Sequence, residues 1–242
     1  MFEKLEKFQL VSLALILAFG LFFATKYATN SLSREGISVT GSAYEIVKSD
    51  SGKLTFDINI QAKTKAEAYS IMKKQLPVVK NYLAEKGVPL ENIEVKTYNG
   101  YYTYKYNNVT RSYTNEIDFF KLSQPMEITS SDVNKIKEIS IDIQSLLDQG
   151  IDISVNQASY FYSKLPELKV KLLGAATTDA KDRASAMLKA THNKVGKIQS
   201  VKMGVFQITD VDSTSVSDMG INDTSTIDKK VTAVANVVFK IK

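Results

Sequence analysis

The 242-residue chain contains no cysteine, which excludes disulfides, thiolate nucleophiles and cysteine-ligated metals and leaves packing alone to hold the fold. Histidine occurs once, at His192 in "KATHNKVG". A single imidazole cannot build a histidine-based metal site, and at a helix end it reads as a solvated side chain interacting with the helix dipole. The glycine-rich phosphate cradles G-x-x-x-x-G-K-[ST] and G-x-G-x-x-G are missing, as is the nucleophile elbow G-x-S-x-G. Asp210, Asp212 and Asp218 in "DVDSTSVSD" approach calcium-loop composition but lack the glycine at the sixth place and the glutamate at the twelfth. Blocks of like charge are also missing: 31 Lys and Arg alternate with 26 Asp and Glu, for a net +5, so nothing tracks a phosphate backbone. These absences argue against a nucleic-acid partner, leave no cofactor, metal or catalytic residue to assign, and predict a protein that is not an enzyme.

What is present begins with "FQLVSLALILAFGLFFA". Its uncharged part, Leu10 to Ala24, would span about 22 Å as a helix, short of a ~30 Å hydrocarbon core. Phe8 and Tyr27 can extend it, with Lys7 and Lys26 reaching to the two interfaces. A cleaved signal peptide and an uncleaved signal anchor both fit; the balanced charges before it and the lack of an A-x-A site favour the anchor. The expected organisation is a short flank at 1–8, a transmembrane or signal-anchor helix at 9–26, a small polar linker at 27–35 and one domain at 36–242.

Within that domain Leu54, Phe56, Ile58, Ile60 and Ala62 alternate with polar residues as in a half-buried strand. Asp50, Ser51 and Gly52 predict a turn making 36–62 a hairpin. Thr64 and Glu67 form a T-x-x-E capping box ahead of an apolar stripe, Tyr69, Met72, Leu76, Val79 and Leu83, interrupted by Pro77 and stopped at Gly87. Ser131 is the expected cap of a second helix carrying Ile136, Ile139, Ile143 and Leu146, ended by Gly150. A third runs from Ser163–Pro166 along Leu165, Leu168, Leu172, Ala176, Ala180, Ala184 and Met187 to Gly196. The stretch "TDVDSTSVSDMGINDTSTID" has no period and reads as a mobile loop before the closing strand, where Val231 to Ile241 alternate. The sum is an α+β fold: a mixed, largely antiparallel sheet covered by about three helices and preceded by one N-terminal transmembrane or signal-anchor helix.

Six of the twelve tyrosines crowd into "TYNGYYTYKYNNVTRSY". Tyr98, Tyr102, Tyr104 and Tyr106 share one strand parity with Gly100, and Tyr101 lies opposite with Asn99, Thr103 and Lys105. Asn107-Asn108 supplies a turn and Tyr113 begins the returning strand, so a hairpin is expected to extend beyond the core sheet. Cross-strand pairing is the first reading of these rings. A subunit contact through Tyr98, Tyr102, Tyr104, Tyr106 and Tyr113 is the second, because tyrosine suits surfaces buried at one end and wet at the other. Stacking on a sugar or another small ligand is the third.

Several phrases resemble the SIMPL-domain family of bacterial envelope proteins: "ISVTGSAYEIVKSDSGKLTFDINIQAKTKAEAY", "YLAEKGVPLENIEVKTY", "LLDQGIDIS", "DAKDRASAMLKATHNKVGKIQSVKMG" and "VTAVANVVFKI". The resemblance covers Gly36 to the C-terminus, and departs from the family pattern at "THNKVG" and "TRSYTNEIDFF". It implies a membrane-anchored or secreted extracytoplasmic domain, self-association in at least some members, and no established enzymatic activity. The expectation is therefore a single-pass cell-membrane protein whose C-terminal domain is extracytoplasmic, a homo-oligomer that works through protein contacts. The rival is a small-molecule or glycan-binding module using the tyrosine-rich hairpin.

Overall fold

The computed structural model of the protein describes residues 2–32 and 36–242, with four α-helices among them. Helix α1 covers Phe2–Leu32, so 27–32 of the expected linker are helical and 33–35 lie outside the described residues. In α1 the side chains of Leu13, Leu15, Ile16, Leu17, Phe19, Leu21, Phe22 and Phe23 are all exposed. Leu10 and Val11 of the expected span are outside the described side chains. Among the described residues no helix is long and apolar enough to cross a membrane.

After α1 the chain forms strands β1 (Gly36–Lys48) and β2 (Ser51–Ala62), then helix α2 (Lys65–Glu85). Strands β3 (Ile93–Val95), β4 (Asn99–Asn107) and β5 (Ser112–Ser130) lead to helix α3 (Val133–Asp142) and a 3₁₀ turn, Ile143–Gln149. Strands β6 (Asp152–Val155) and β7 (Ser159–Phe161) precede helix α4 (Leu165–Lys189), and β8 (Val195–Met203), β9 (Gln207–Asp210), β10 (Ile221–Asn222) and β11 (Asp228–Ile241) complete the chain.

The chain divides into two compact units. One combines the segment through Ala43 with Leu173–Gly204 and Val234–Lys242. Small residues dominate its buried positions: Ala176, Ala180, Ala184 and Ala235, with Val39, Leu188, Val237 and Phe239. The reason is close approach. A Cβ on Gly41 of β1 would stand 2.2 Å from the Ala176 carbonyl oxygen and 2.4 Å from the Ala180 nitrogen, so α4 can lie here only against glycine. Here β8 pairs antiparallel with β11.

The other unit combines Tyr44–Leu172 and Val205–Ala233, and its core is large and aliphatic. Strand β2 runs antiparallel to β5 over its whole length, from Gly52↔Ser130 to Ala62↔Phe120, and to β6 and β7 on its other side. Its alternation buries Leu54, Phe56, Ile58 and Ile60 against Leu122, Met126 and Ile128 of β5. Helices α2 and α3 pack on these two strands, bringing Ala68, Met72, Val79 and Leu83 and Val133, Ile136 and Ile139 into the same cluster. The Thr64 hydroxyl accepts from Glu67 N–H at 3.2 Å, and the Glu67 carboxylate accepts from Lys63 N–H at 3.3 Å, a capping box displaced by one residue on its return arm. Tyr69 of the expected stripe is 39% exposed.

Several expectations need correction. Strands β1 and β2 do not form a hairpin: β1 neighbours β11 in a five-stranded sheet, and β2 belongs to a six-stranded one. The link at 49–50 is held elsewhere, Ser49 N–H donating to Ile227 and Asp50 N–H to Phe161, so the chain changes sheets where a tight turn would have kept it in one. Asp132, not Ser131, caps α3, accepting from Asn134 and Lys135 N–H. Helix α4 ends at Lys189, before Gly196, because His192 takes the left-handed conformation (φ 62°) and Asn193 N–H closes on Leu188. Within the helix the buried stripe Ala176, Ala180 and Ala184 continues at four-residue spacing to Leu188, and Met187 is exposed.

The supposed mobile loop holds the end of β9 and all of β10, which pair in parallel. Gln207 binds Ser217 through both ends of its amide, and Lys230 Nζ donates to the Val211 and Ser213 carbonyls.

Candidate functional site

The six-stranded sheet has one strand longer than its cover. Residues 120–130 of β5 lie between β2 and the pair β3, β4, whereas residues 112–119 pair with β4 alone. That second part is a two-stranded arm. Asn107 Oδ1 holds its tip, accepting from Val109 N–H at 2.8 Å and Thr110 N–H at 3.2 Å. The left-handed residue there is Arg111 (φ 49°), not an asparagine. Lys105 Nζ bridges to Glu116 at 3.0 Å across the arm, and this carboxylate holds the Lys105 ammonium above its ordinary pKa.

Register assigns the arm's faces. Ala62 pairs with Phe120, and Phe120 with Tyr102, so Tyr102 continues the row of core-facing residues. Its ring meets Phe120 edge-on at 4.8 Å. By strand alternation Tyr104 and Tyr106 lie on the same face, opposite Ile117 and Tyr113, and Tyr106 and Tyr113 pack edge-on at 5.1 Å. Gly100 belongs to this face too. A Cβ there would stand 2.5 Å from Phe120 Cζ, so the glycine makes room for the last core ring before the arm departs. The tyrosine ladder is thus the core face of the sheet prolonged past its helices. Tyr104 is 47% exposed, Ile117 49% and Tyr113 75%.

Four of the five tyrosines singled out are brought together: Tyr102, Tyr104, Tyr106 and Tyr113. Tyr98 is not among them. Between β3 and β4 the chain leaves strand pairing at 96–98, where Lys96 N–H bonds Pro125 and the Gln124 amide donates to the Lys96 carbonyl. Tyr98 turns inward, partly buried against the core and 5.9 Å from Tyr69 of α2. Ile117 was not singled out by the sequence. It becomes part of the face because β5 bulges twice, shifting register between Thr103 and Tyr104 and again before Tyr106.

The buried charges elsewhere are engaged with one another. Burial pushes the Glu127 carboxyl up, but the Lys53 and Lys96 ammoniums at 2.6 and 2.5 Å outweigh it and hold it below its ordinary value. Asp223 behaves alike: burial is outweighed by Ser225, Thr226 and Lys229, and its pKa is depressed. Lys229, nearly inaccessible, is lowered by burial, with Asp223 opposing. Asp210 accepts from Asp212 N–H in a local turn. Among the described residues no three His, Cys, Asp or Glu side chains are grouped to hold a metal ion.

The family model SIMPL, described as "Protein of unknown function (DUF541)", matches residues 37–239. The chain belongs to the SIMPL family. No curated protein is similar enough to match it.

Proposed function

We propose that this SIMPL protein is a non-catalytic, extracytoplasmic domain of the cell envelope, held at a membrane by α1, that self-associates through the arm of β4 and β5. One observation carries the reading: the core-type face of the sheet continues onto the arm as Tyr104, Tyr106, Tyr113 and Ile117 after its helices have ended. A two-stranded ribbon is marginal by itself in water and gains most by laying such a face on another surface. A second copy supplies one, since each copy carries the same uncovered ladder. The membrane part of the proposal rests on the apolar side chains of α1, which are exposed on every side of the helix and so suit hydrocarbon better than one packed face.

Light scattering on a chain of residues 36–242 tests the association. A mass above one subunit is expected, and a monomer across the accessible concentration range overturns it. For the anchor, mass spectrometry of the membrane fraction is expected to find the intact N-terminus; chains beginning only between Ala24 and Ser33 would contradict it.

A further inference from the structure

The opposite face of the same sheet carries a different chemistry. Four strands align one polar row across it: Asp152 of β6 pairs with Asn59 of β2, Asn59 with Ser123 of β5, and Ser123 with Asn99 of β4. At ~4.8 Å per strand the row is about 14 Å wide. The next row is Gln61, Lys121 and Tyr101. Together these residues line a shallow depression of about 340 Å³, within the usual range for small-ligand sites.

We propose that this depression binds a neutral oligosaccharide. Tyr101, 62% exposed at the edge of the row, offers a flat apolar ring for the C–H face of a sugar. Among the described residues the side chains of Gln61, Asn99 and Asp152 make no hydrogen bond, so two amides, each with donors and an acceptor, and one carboxylate point their full capacity outward. Two neighbours are held in place. Asn59 donates to Ser154 at 2.7 Å, which leaves its carbonyl oxygen for a ligand, and the Ser123 hydroxyl donates to Asp57 at 2.7 Å.

The charge balance selects a neutral ligand. One cation, Lys121, and one anion, Asp152, line the site, and further along the face the cations Lys53 and Lys96 are set against the anions Asp57, Glu94 and Glu127, so the lining itself favours neither sign. An anionic ligand would meet Asp152, and a cationic one Lys121. Alternating hydroxyl and C–H surfaces fit a row of amides beside one ring. Tyr101 lies on the other side of β4 from Tyr104 and Tyr106, so this site and the arm can be disabled separately.

The test is isothermal titration of the full-length chain, purified in a detergent without a sugar headgroup, with chitotetraose, cellotetraose and maltotetraose. At least one is expected to bind with a millimolar or tighter Kd, weakened at least about tenfold by Tyr101→Ala and unchanged by Tyr104→Ala. Asn99→Ala and Asp152→Asn, both at exposed positions, should weaken it as well and carry the test if Tyr101→Ala perturbs the fold by circular dichroism. Absence of binding to all three sugars overturns the proposal. So does binding that survives Tyr101→Ala, Asn99→Ala and Asp152→Asn in folded protein, or that Tyr104→Ala abolishes equally.

Discussion

The two halves of β5 show how one strand can serve stability and association in turn. From Phe120 to Ser130 it is central in a six-stranded sheet, and Phe120, Leu122, Met126 and Ile128 are buried beneath the α2 and α3 cover. From Ser112 to Phe119 it has only β4 beside it, and Ile117 and Tyr113, in the equivalent positions, are both exposed. The side chains are apolar or aromatic in both halves. What changes is the cover, and the lesson is that an uncovered continuation of a core face is a different object from scattered surface tyrosines.

The largest expected effect sharpens that contrast within one strand. Leu122→Ala should cost about 2 to 5 kcal/mol in denaturant melts, as a buried truncation does. Ile117→Ala in the isolated domain should stay within about 0.5 kcal/mol, the surface range. Comparable losses at both positions would mean that the arm is part of the core. The junction comes next. Gly100→Ala drives a Cβ into the Phe120 ring and the Lys121 carbonyl, and should cost about 1 to 3 kcal/mol as overpacking. A neutral result would mean that Phe120 can move aside and does not mark the end of the core.

A smaller effect concerns the covered half under acid. The folded pKa of Glu127 lies below its ordinary value of 4.5. Its contribution is therefore present above that pH and lost as pH falls through the depressed folded value. Stability measured against pH should show a shallower acid limb in Glu127→Gln than in the parent chain. Identical acid limbs would remove the Lys53–Glu127–Lys96 bridge from the account of the covered half.

Local signals carried much of this arrangement into the sequence. Thr64 and Glu67, the alternation of β2 and β11, and the opposite placement of Tyr101 all follow from periodicity and capping chemistry over a few residues, whereas the turn expected at Asn107-Asn108 falls at 108–111 and so brings Tyr106 opposite Tyr113. The remainder depends on partners far along the chain. Nothing near Asp50 says that β1 will join β11 while β2 joins β5. The bulges that recruit Ile117 and the break that removes Tyr98 arise from β5 lying alongside. The polar row from Asp152 to Asn99 exists only once four strands are in register. At His192 the left-handed turn falls on a residue with no glycine to announce it.

The most direct test of the central claim is the mass in solution of residues 36–242 carrying Tyr104→Ser, Tyr106→Ser and Tyr113→Ser together, measured by size-exclusion chromatography with light scattering beside the unsubstituted domain. These three rings are exposed, so the account predicts a smaller species that keeps the parent circular dichroism and a nearly unchanged melt. A triple variant that retains the parent oligomer mass would contradict it, because the ladder would then be only the wall of its own hairpin.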